Sequence, residues 1–313
     1  MGYQHTAQVF SASINKVEIG AGNRAVTLGG ENVFPLYSFD GPIQNPPRVG
    51  IEFSDNGPDR SMPALDSFYR GAESIAEITR RACEKSGADF VSLILSGADP
   101  NGKNRPVEEC VELCVRTAEA ATLPLVIQGC GNAGKDSGLF EKIAAALHGK
   151  NALLLSAREE NYKTVTVAAV QAYGHKAGAE SSVDINLAKQ LNLLISRLGV
   201  QLDNIVMNPG SAAAGYGFEY VASTMDRIKA AALVYNDTIM QMPIITPVGE
   251  EAWSVKEAVV SGEDIPDWGP AEQRGINMEI TTAAACLASG SNAVILRHPV
   301  SVSVIKKLIF ELV

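Results

Sequence analysis

The apolar positions of this chain follow two alternating patterns from residue 49 onward. Runs of five or six mostly apolar residues, typical of strands, alternate with longer segments in which apolar residues recur every three or four positions, as in amphipathic helices. Several of the helical segments end at a glycine, a common helix C-terminus. The eight predicted strands are 49–53, 90–95, 124–128, 152–156, 179–183, 204–208, 243–247 and 292–297.

Eight strand and helix units within about 265 residues are typical of a (β/α)8 barrel. A doubly wound open sheet is the alternative, and its dinucleotide-binding form has a glycine fingerprint after the first strand. The turn after strand 49–53 reads SDNGPDRSMP and holds no such fingerprint. The pattern therefore predicts an α/β protein with a TIM barrel over residues 49–313.

Residues 1–48 lack this alternation. The segment NKVEIGAGNRAVTLGG, residues 15–30, predicts a β-hairpin with its turn at Gly22 and Asn23, and a proline-rich segment follows it. We expect residues 1–48 to be an N-terminal extension that closes the N-terminal mouth of the barrel, and not an independent domain.

Charge and hydropathy restrict the partners. With 46% hydrophobic and 19% charged residues the chain can bury a large core, and its net charge of −9 disfavours a nucleic-acid partner. The apolar runs are far shorter than the roughly 20 residues of a membrane-spanning helix. The first ten residues, MGYQHTAQVF, show no export signal. We expect a cytoplasmic protein without a nucleic-acid or membrane partner.

The cysteines and histidines do not show metal-site spacing. No two cysteines have the CxxC spacing favoured by zinc and iron–sulfur sites, and the four histidines are scattered. We therefore expect no iron–sulfur cluster and no metal site on this chain. The five cysteines are Cys83, Cys110, Cys114, Cys130 and Cys286.

The third predicted strand is followed by GCGNAGKD, which resembles a phosphate-binding loop from Gly129 to Lys135. Such a loop next requires a Ser or Thr that binds magnesium, but this chain has Asp136, whose carboxylate would lie beside the phosphates. The sequence therefore disfavours a nucleotide site. The glycines instead allow the backbone to approach a flat or bulky ligand closely.

Other polar residues follow the predicted strands, where a barrel places its functional loops. Asp99 follows the second strand and Asn161 the fourth, but turn formation or helix capping explains them equally well. Asp184 and Asn186 also occupy positions favoured by helix caps. Small residues surround Tyr216 after the sixth strand, as expected where a planar ligand or another backbone approaches.

The connection at about 248–273 is the longest in the predicted barrel and carries both tryptophans, Trp253 and Trp268. Long connections are usually lids or partner surfaces, and Trp is enriched in interfaces. The alternative is a lid that packs on its own barrel. With no catalytic constellation among these loops, we expect a neutral, glycine-rich mouth that covers a ligand.

Eight segments carry a family resemblance. They are FDGPIQNPPRVGIE (39–52), GADP (97–100), GCGN (129–132), ENYK (160–163), DINLAKQLN (184–192), GYGFEY (215–220), EEAWSVKEA (250–258) and RHP (297–299). In this order, over nearly the whole chain, they resemble the small subunits of corrinoid iron–sulfur proteins, also called delta subunits of the acetyl-CoA decarbonylase/synthase complex.

The resemblance implies a TIM barrel paired with a large subunit that holds a [4Fe–4S] cluster and cobalamin. Such a heterodimer takes a methyl group from a methyl-pterin, through a methyl-pterin methyltransferase, and passes it to CO dehydrogenase/acetyl-CoA synthase in the Wood–Ljungdahl pathway. The barrel mouth would cap the corrinoid, without catalytic or metal-binding residues of its own. The residues expected near the cofactor are Asp99, Gly129, Cys130, Gly131, Asn132, Asn161, Asp184, Asn186, Asn208, Gly215, Tyr216, Gly217, Thr246, Arg297 and His298.

The alternative is a stand-alone methyltetrahydrofolate:corrinoid methyltransferase, a related barrel that binds the pterin itself. That family has an Asp after the third and sixth strands and an Asn after the seventh. This chain has Gly129 and Cys130, Asn208, and Thr246 at those strand ends, which favours the subunit. A phosphate-binding metabolic barrel is a third class, which ordered phosphate at the last two strand–helix loops would indicate.

Overall fold

A computed structural model describes residues 6–313, and its central feature is an eight-stranded parallel sheet. The preceding hairpin strands are β1 (Val17–Ile19) and β2 (Val26–Leu28). The parallel strands are β3 (Arg48–Ser54), β4 (Phe90–Ile94), β5 (Leu125–Gln128), β6 (Leu153–Ala157), β7 (Lys176–Glu180), β8 (Ile205–Asn208), β9 (Ile245–Pro247) and β10 (Ala293–Leu296).

The sheet curls into a nearly closed barrel. Its strand order is β8-β7-β6-β5-β4-β3-β10-β9, and its two edges meet at a parallel bridge between Met207 and Ile244. The backbone N–H of Met207 donates to the Pro243 carbonyl at 2.8 Å across this junction. The predicted (β/α)8 barrel is therefore confirmed.

Helices surround the barrel and connect its strands. They are α1 (Pro63–Phe68), α2 (Ile75–Lys85), α3 (Val107–Ala120), α4 (Ala133–Ala146), α5 (Tyr162–Thr166), α6 (Ile185–Arg197), α7 (Phe218–Leu233), α8 (Gly249–Ala252), α9 (Lys256–Val259), α10 (Ala271–Ser289) and α11 (Pro299–Leu312). A π-helical turn, Val167–Ala172, continues α5. No helix within residues 6–313 is both long enough and apolar enough to cross a membrane.

Seven of the eight predicted strands begin and end within two residues of the observed ones. The fifth is observed three residues earlier, at Lys176–Glu180 and not at 179–183. Its residues, KAGAE, are mostly small and have low strand propensity. The predicted segment ends instead in a turn, where Ser182 and Val183 have positive φ angles of 45° and 65°.

The predicted hairpin is present and packs into the barrel. Val17, Ile19 and Leu28 are buried in one apolar cluster with side chains inside the barrel, among them Phe90 and Leu153. The N–H of Gly20 donates to the carbonyl of Asn151, just before β6, at 2.8 Å. The hairpin thus lies at the amino ends of the strands, where closure was predicted.

The opposite end of the barrel, at the strands' carboxyl ends, is left for the functional loops. Residues 1–5, part of the predicted extension, lie outside the described residues. The division of the chain into 1–48 and 49–313 stays a prediction.

Candidate binding site at the carboxyl end of the barrel

A cavity of about 520 Å³ opens among the loops at the carboxyl ends of the strands. This volume is within the range of about 300–1,000 Å³ usual for small-molecule sites. The side chains and backbone that line it come from β4 to β9 and the loops after them. They are Ile94, Ser96, Asp99, Gln128, Gly129, Cys130, Gly131, Asp136, Leu155, Ser156, Arg158, Glu180, Ser182, Val183, Asn208, Gly210, Ser211, Pro247, Glu250 and Glu251.

Five residues that the sequence suggested for cofactor contact lie together in this lining. They are Asp99, Gly129, Cys130, Gly131 and Asn208. Parallel strands bring their carboxyl ends to one edge, which explains how residues more than 100 positions apart in the chain meet here.

The glycine-rich turn after β5 is folded around Asp136. The Asp136 carboxylate accepts hydrogen bonds from the N–H groups of Cys130 at 2.8 Å and Gly131 at 3.1 Å. A β-carbon added at Gly129 would lie 2.5 Å from this carboxylate, so the position requires glycine. Asn132 caps α4 by accepting from the N–H of Lys135. The backbone donors that would hold a phosphate therefore already bind a carboxylate.

Burial raises the pKa values of two acidic groups in this turn, the Asp136 carboxyl and the Cys130 thiol. Burial raises the pKa of Asp136, and the hydrogen bonds from Cys130 and Gly131 oppose that rise. Burial also raises the pKa of the Cys130 thiol to about 11. The thiol donates to the Asp136 carboxylate at 3.2 Å. Cys130 is thus a protonated thiol at neutral pH and a poor nucleophile.

Arg158 ties neighbouring loops together at one wall of the cavity. Its guanidinium contacts the Glu180 carboxylate at 2.9 Å and donates to the Gly131 carbonyl at 2.6 Å. Asn161 is buried behind this wall, where it accepts from the Arg158 N–H at 2.8 Å and donates to the Ala133 carbonyl at 3.2 Å. Asn161 therefore positions the loops and does not line the cavity.

Asn208, at the end of β8, links the opposite wall. Its side-chain amide donates to the Ser156 hydroxyl at 3.0 Å, and its amide oxygen accepts from the Gly210 N–H at 3.1 Å. Gly210 has a φ of 87°, a conformation that favours glycine. The amide thereby fixes the course of the bare loop after β8.

The mouth is acidic, and the expectation of a neutral mouth is wrong. Arg158 is the one cation among the described residues that line the cavity. Five carboxylates share the lining: Asp99, Asp136, Glu180, Glu250 and Glu251. Burial raises the pKa of Glu251, with a smaller contribution from the charge of Glu250.

A second cavity of about 210 Å³ adjoins the first, and its wall includes Arg297 and Glu52. The Arg297 guanidinium lies 2.9 Å from the buried Glu52 carboxylate. Burial raises the pKa of Glu52, while the charge of Arg297 opposes the rise. Arg297 is thus held by an ion pair beside the main cavity.

Other suggested residues support the framework outside the cavity lining. Asp184 caps α6 by accepting from the N–H groups of Asn186 and Leu187. Thr246 is buried and shares a hydrogen bond with the Ser291 hydroxyl at 2.8 Å. His298 is buried and caps α11 by accepting from the Val300 N–H.

Gly215, Tyr216 and Gly217 lie outside the cavity lining, on the loop after β8 whose residues Gly210 and Ser211 line the cavity. Both glycines have positive φ angles, 86° and 87°. The Tyr216 hydroxyl donates to Glu257 on α9 at 2.6 Å. The loop after β8 is thereby joined to the long connection after β9.

The two tryptophans of this connection differ in exposure. Trp253 is buried inside the chain, with its ring stacked on His298 at 5.9 Å between ring centres. For Trp253, the structure therefore agrees with the alternative that the connection packs on its own barrel. Trp268 is exposed, and its proposed partner contact stays a prediction.

Polar residues inside the strands also face this end, and they are not among the residues that the sequence predicts near the cofactor. Examples are Glu52 on β3, Gln128 on β5, Ser156 on β6 and Glu180 on β7. A buried polar side chain requires a partner or a site. Its occurrence in an otherwise apolar run is the signal that would have found these residues.

Within residues 6–313, no group of three or more His, Cys, Asp or Glu side chains is arranged to hold a metal ion. The sites of greatest chemical interest are therefore hydrogen-bonding groups and carboxylates around an open cavity.

Comparison with solved structures relates the fold to dihydropteroate synthases. The enzyme of Xanthomonas albilineans matches with a TM-score of 0.54 and 13% identity, over 94% of this chain and 98% of that one. The Burkholderia cenocepacia enzyme matches with a TM-score of 0.53 and 14% identity, over 95% and 97%. At these identities the likeness concerns the barrel alone.

Proteins of similar sequence identify the family more specifically than the fold does. Delta subunits of acetyl-CoA decarbonylase/synthase complexes are 33% identical in Archaeoglobus fulgidus and 31% identical in Methanosarcina thermophila, over 94% and 97% of this chain. The matches cover 65% and 70% of those proteins, so this chain spans about two thirds of their length. A family model described as CO dehydrogenase/acetyl-CoA synthase delta subunit matches residues 16–297. The chain therefore belongs to the CO dehydrogenase/acetyl-CoA synthase delta subunit family.

Proposed function

We propose that this chain is the barrel subunit of a two-subunit methyl carrier, in which the cavity at the carboxyl end of the barrel covers a corrinoid held by the large subunit. The large subunit of the corrinoid iron–sulfur protein would also hold the [4Fe–4S] cluster. The pair takes a methyl group from a methyl-pterin and gives it to CO dehydrogenase/acetyl-CoA synthase in the Wood–Ljungdahl pathway. When bound, the corrinoid supplies a cobalt centre that carries the methyl group.

The observation that carries this proposal is the family match over residues 16–297. The partners, substrate and cofactor are inferred, because the relatives are named as subunits of an acetyl-CoA decarbonylase/synthase complex and this chain spans about two thirds of their length.

The cavity lining suits a large planar ligand with amide groups at its edge. Gly129 and Gly131 expose backbone on one side, and Gly210 does so on the other. Carboxylates such as Glu180 accept hydrogen bonds from amide N–H groups, and the Asn208 and Ser156 side chains add polar contacts. A corrinoid is larger than the drug-sized ligands that fill such a volume, so these residues fit a covering surface over its face.

The chain's own groups support a covering role more than a methyl-accepting one. The Cys130 thiol, whose pKa burial raises to about 11, stays protonated at neutral pH. A protonated thiol is a weak nucleophile compared with a thiolate. The residues of the mouth instead exclude water around a bound reactive centre, which prevents side reactions.

Reconstitution tests the proposal. The chain is purified alone and also after co-expression with the large corrinoid iron–sulfur subunit. The pair is expected to be a coloured one-to-one complex with stoichiometric cobalt that accepts a ¹³C-methyl group from the methyl-pterin system. The isolated chain is expected to be colourless. Absence of a stable complex, or unchanged methyl transfer when this chain is omitted, would reject the proposal.

Calorimetry with methyltetrahydrofolate and the isolated chain tests the alternative methyltransferase. The proposal predicts no stoichiometric binding, because Gly129 and Asn208 stand where that family has acids. Tight one-to-one binding, with methyl transfer to free corrinoid, would favour the stand-alone enzyme.

A further inference from the structure

An exposed, mainly aromatic surface lies on the segments that follow β8 and β9, and early residues of both segments line the cavity. Four large side chains are substantially accessible: Tyr216 (48%), Tyr220 (68%), Val259 (62%) and Trp268 (44%). We call these four residues the rim patch. Tyr and Trp are enriched in protein interfaces, because each combines a large apolar area with a polar atom.

Contacts join the rim patch into one surface. The Tyr216 hydroxyl donates to Glu257 at 2.6 Å, and the neighbouring Lys256 Nζ lies 5.7 Å from the centre of the Trp268 ring. Val259 ends the same short helix, α9. Tyr220 belongs to the first turn of α7, directly after the loop that carries Tyr216.

Arg274 of α10 holds the connection that presents this surface. Its guanidinium donates to the backbone carbonyls of Glu257, Val260 and Gly269. Three carbonyls spread over 13 positions are thus fixed by one side chain. A surface held in place before binding loses less conformational entropy when a partner docks.

Two residues of the rim patch, Val259 and Trp268, belong to a strongly acidic segment, and Tyr216 is hydrogen-bonded to Glu257 of the same segment. Residues 248–270 contain six acidic side chains and one basic side chain, Lys256. The hydrogen bond from Tyr216 lowers the pKa of Glu257, which favours its charged form. The acidic residues are Glu250, Glu251, Glu257, Glu263, Asp264 and Asp267.

This charge selects among classes of partner. Nucleic acids and anionic lipid surfaces are repelled by acidic side chains. A second copy of the chain docking through the same face would place acidic residues against acidic residues, which is costly. A protein surface with Lys and Arg around an apolar centre complements both the charge and the aromatic side chains.

The position of the patch indicates what docking does. Gly210 and Ser211, at the start of the loop that leads to Tyr216, line the cavity, as do Glu250 and Glu251 of the acidic segment. We infer that the rim patch docks a basic protein surface that closes over the cavity mouth. The inference rests on the proposed function in one respect, that the partner is another subunit of the same complex.

The test measures binding of this chain to each other purified subunit of the complex by surface plasmon resonance at several salt concentrations. One subunit is expected to bind, with a Kd that rises with salt. Changing both Tyr220→Ala and Trp268→Ala is expected to raise that Kd about thirty-fold or more, as for interface hot spots. The matched control, Tyr235→Ala, changes an exposed tyrosine two residues after the end of α7 and is expected to leave the Kd unchanged.

A second set of variants reverses the charge of the acidic segment in the same binding measurement. Changing Glu263→Lys, Asp264→Lys and Asp267→Lys together is expected to slow association about tenfold at low salt and to reduce the salt dependence, as rim charges do. The control reverses three exposed acids elsewhere, Glu112→Lys, Glu119→Lys and Glu141→Lys, for the same change in net charge. Thermal unfolding checks that all variants remain folded.

Unchanged binding in both the aromatic and the charge variants would overturn the inference. So would equal losses in the patch and control variants. Because this experiment measures association and not methyl transfer, it distinguishes failure of the docking inference from failure of the proposed function. If methyl transfer occurs but the patch variants bind as the wild type does, only the docking inference is rejected. If binding depends on the patch but no methyl transfer occurs, only the proposed function is rejected.

Discussion

At the scale of single residues, the site depends on carboxylates whose surroundings are set by a few small neighbours. Asp136 is buried, and its two backbone hydrogen bonds exist because Gly129 leaves room for the carboxylate. The sequence GCGNAGKD resembles a phosphate loop, and the structure shows the same backbone donors occupied by an internal acid. One side chain at position 136 thus changes what the turn can bind.

Changing Gly129→Ala is expected to lower the free energy of unfolding by about 1–3 kcal/mol, the cost of leaving a buried polar group without its partners. The new β-carbon would lie 2.5 Å from the Asp136 carboxylate and displace it. Urea unfolding measures the change. The control, Gly138→Ala in α4, meets no atom within 4 Å and is expected to raise stability by up to about 1 kcal/mol. Equal effects at the two positions would contradict this account.

Glu279 gives a pH prediction. Burial raises its pKa from 4.5 to about 7, although the N–H groups of Arg297 and His298 oppose the rise. The folded protein therefore holds a proton that the unfolded chain has released, so this carboxyl lowers the free energy of unfolding as pH rises from about 4.5 to 7. Buried His175 and His298, whose pKa values are lowered by burial, act in the opposite direction below pH 6.5.

Comparing wild type with Glu279→Gln isolates that contribution. Chemical denaturation between pH 4.5 and 8 is expected to show the variant gaining stability relative to wild type as pH rises, on the order of 1–3 kcal/mol. The exposed Glu119→Gln is the control, with a constant difference expected. A constant difference for Glu279→Gln as well would show that the carboxyl does not change its protonation in this range.

At the scale of elements, the hydrophobic pattern predicts the strands and helices whose own residues determine which side is buried. Strands such as β4 and β6, apolar on both faces, were located within two residues. The small residues of β7 carry little local preference, so its position depends on pairing with β6 and β8. The two short helices α8 and α9 within the long connection were not predicted, because their packing depends on residues elsewhere, such as Arg274.

The cavity residues, like the strands, were predicted only in part from the sequence. Asp99 and Gly129 lie in the segments after β4 and β5, and Asn208 ends β8, so the barrel pattern brings them to the cavity. Arg158 follows β6 and Glu180 ends β7, and both were missed because their contact depends on how these two strands lie in the closed barrel. Residue type alone left an interface and a self-packed lid open for Trp253, because its burial depends on the space above Gly275, where a β-carbon would lie 2.2 Å from the indole ring.

The hairpin provides a prediction at this scale. Ile19→Ala removes a side chain buried in the cluster that includes Phe90 and Leu153, and is expected to lower the free energy of unfolding by about 2–5 kcal/mol. The change is expected to affect a single cooperative unfolding transition of hairpin and barrel, measured by fluorescence in urea. The adjacent Glu18→Ala, on the exposed face of the same strand, is expected to change stability by about 0.5 kcal/mol or less. A separate early transition for the hairpin would contradict its place in the barrel core.

At the scale of the whole molecule, the two ends of the barrel differ in chemistry. The hairpin fills the amino end with apolar side chains, whereas the carboxyl end holds an open cavity with five carboxylates. Burial and hydrogen bonds stabilise the first end without a partner. The second end, with its acidic and aromatic border, is the part of the described chain suited to binding.

Blocking the mouth tests its role in the proposed methyl carrier. Ser96 is exposed and lines both adjoining cavities, so Ser96→Trp would occupy part of the space at the mouth. Methyl transfer by the reconstituted pair is expected to slow about tenfold or more, because small misplacements of reacting groups carry costs of this size. The control, Ser303→Trp, adds the same ring to the exposed face of α11 and is expected to leave the rate unchanged. Equal rates in the two variants would separate the cavity from methyl transfer.

The most direct measurement of the central claim is a structure of this chain in complex with the corrinoid-bearing large subunit. If the barrel mouth covers the corrinoid, ring or amide atoms of the corrinoid are predicted to lie about 4 Å or less from the backbone of Gly129, Gly131 or Gly210, the separation of atoms in contact. A corrinoid more than about 10 Å from every residue that lines the cavity, beyond the reach of such contacts, would contradict the claim.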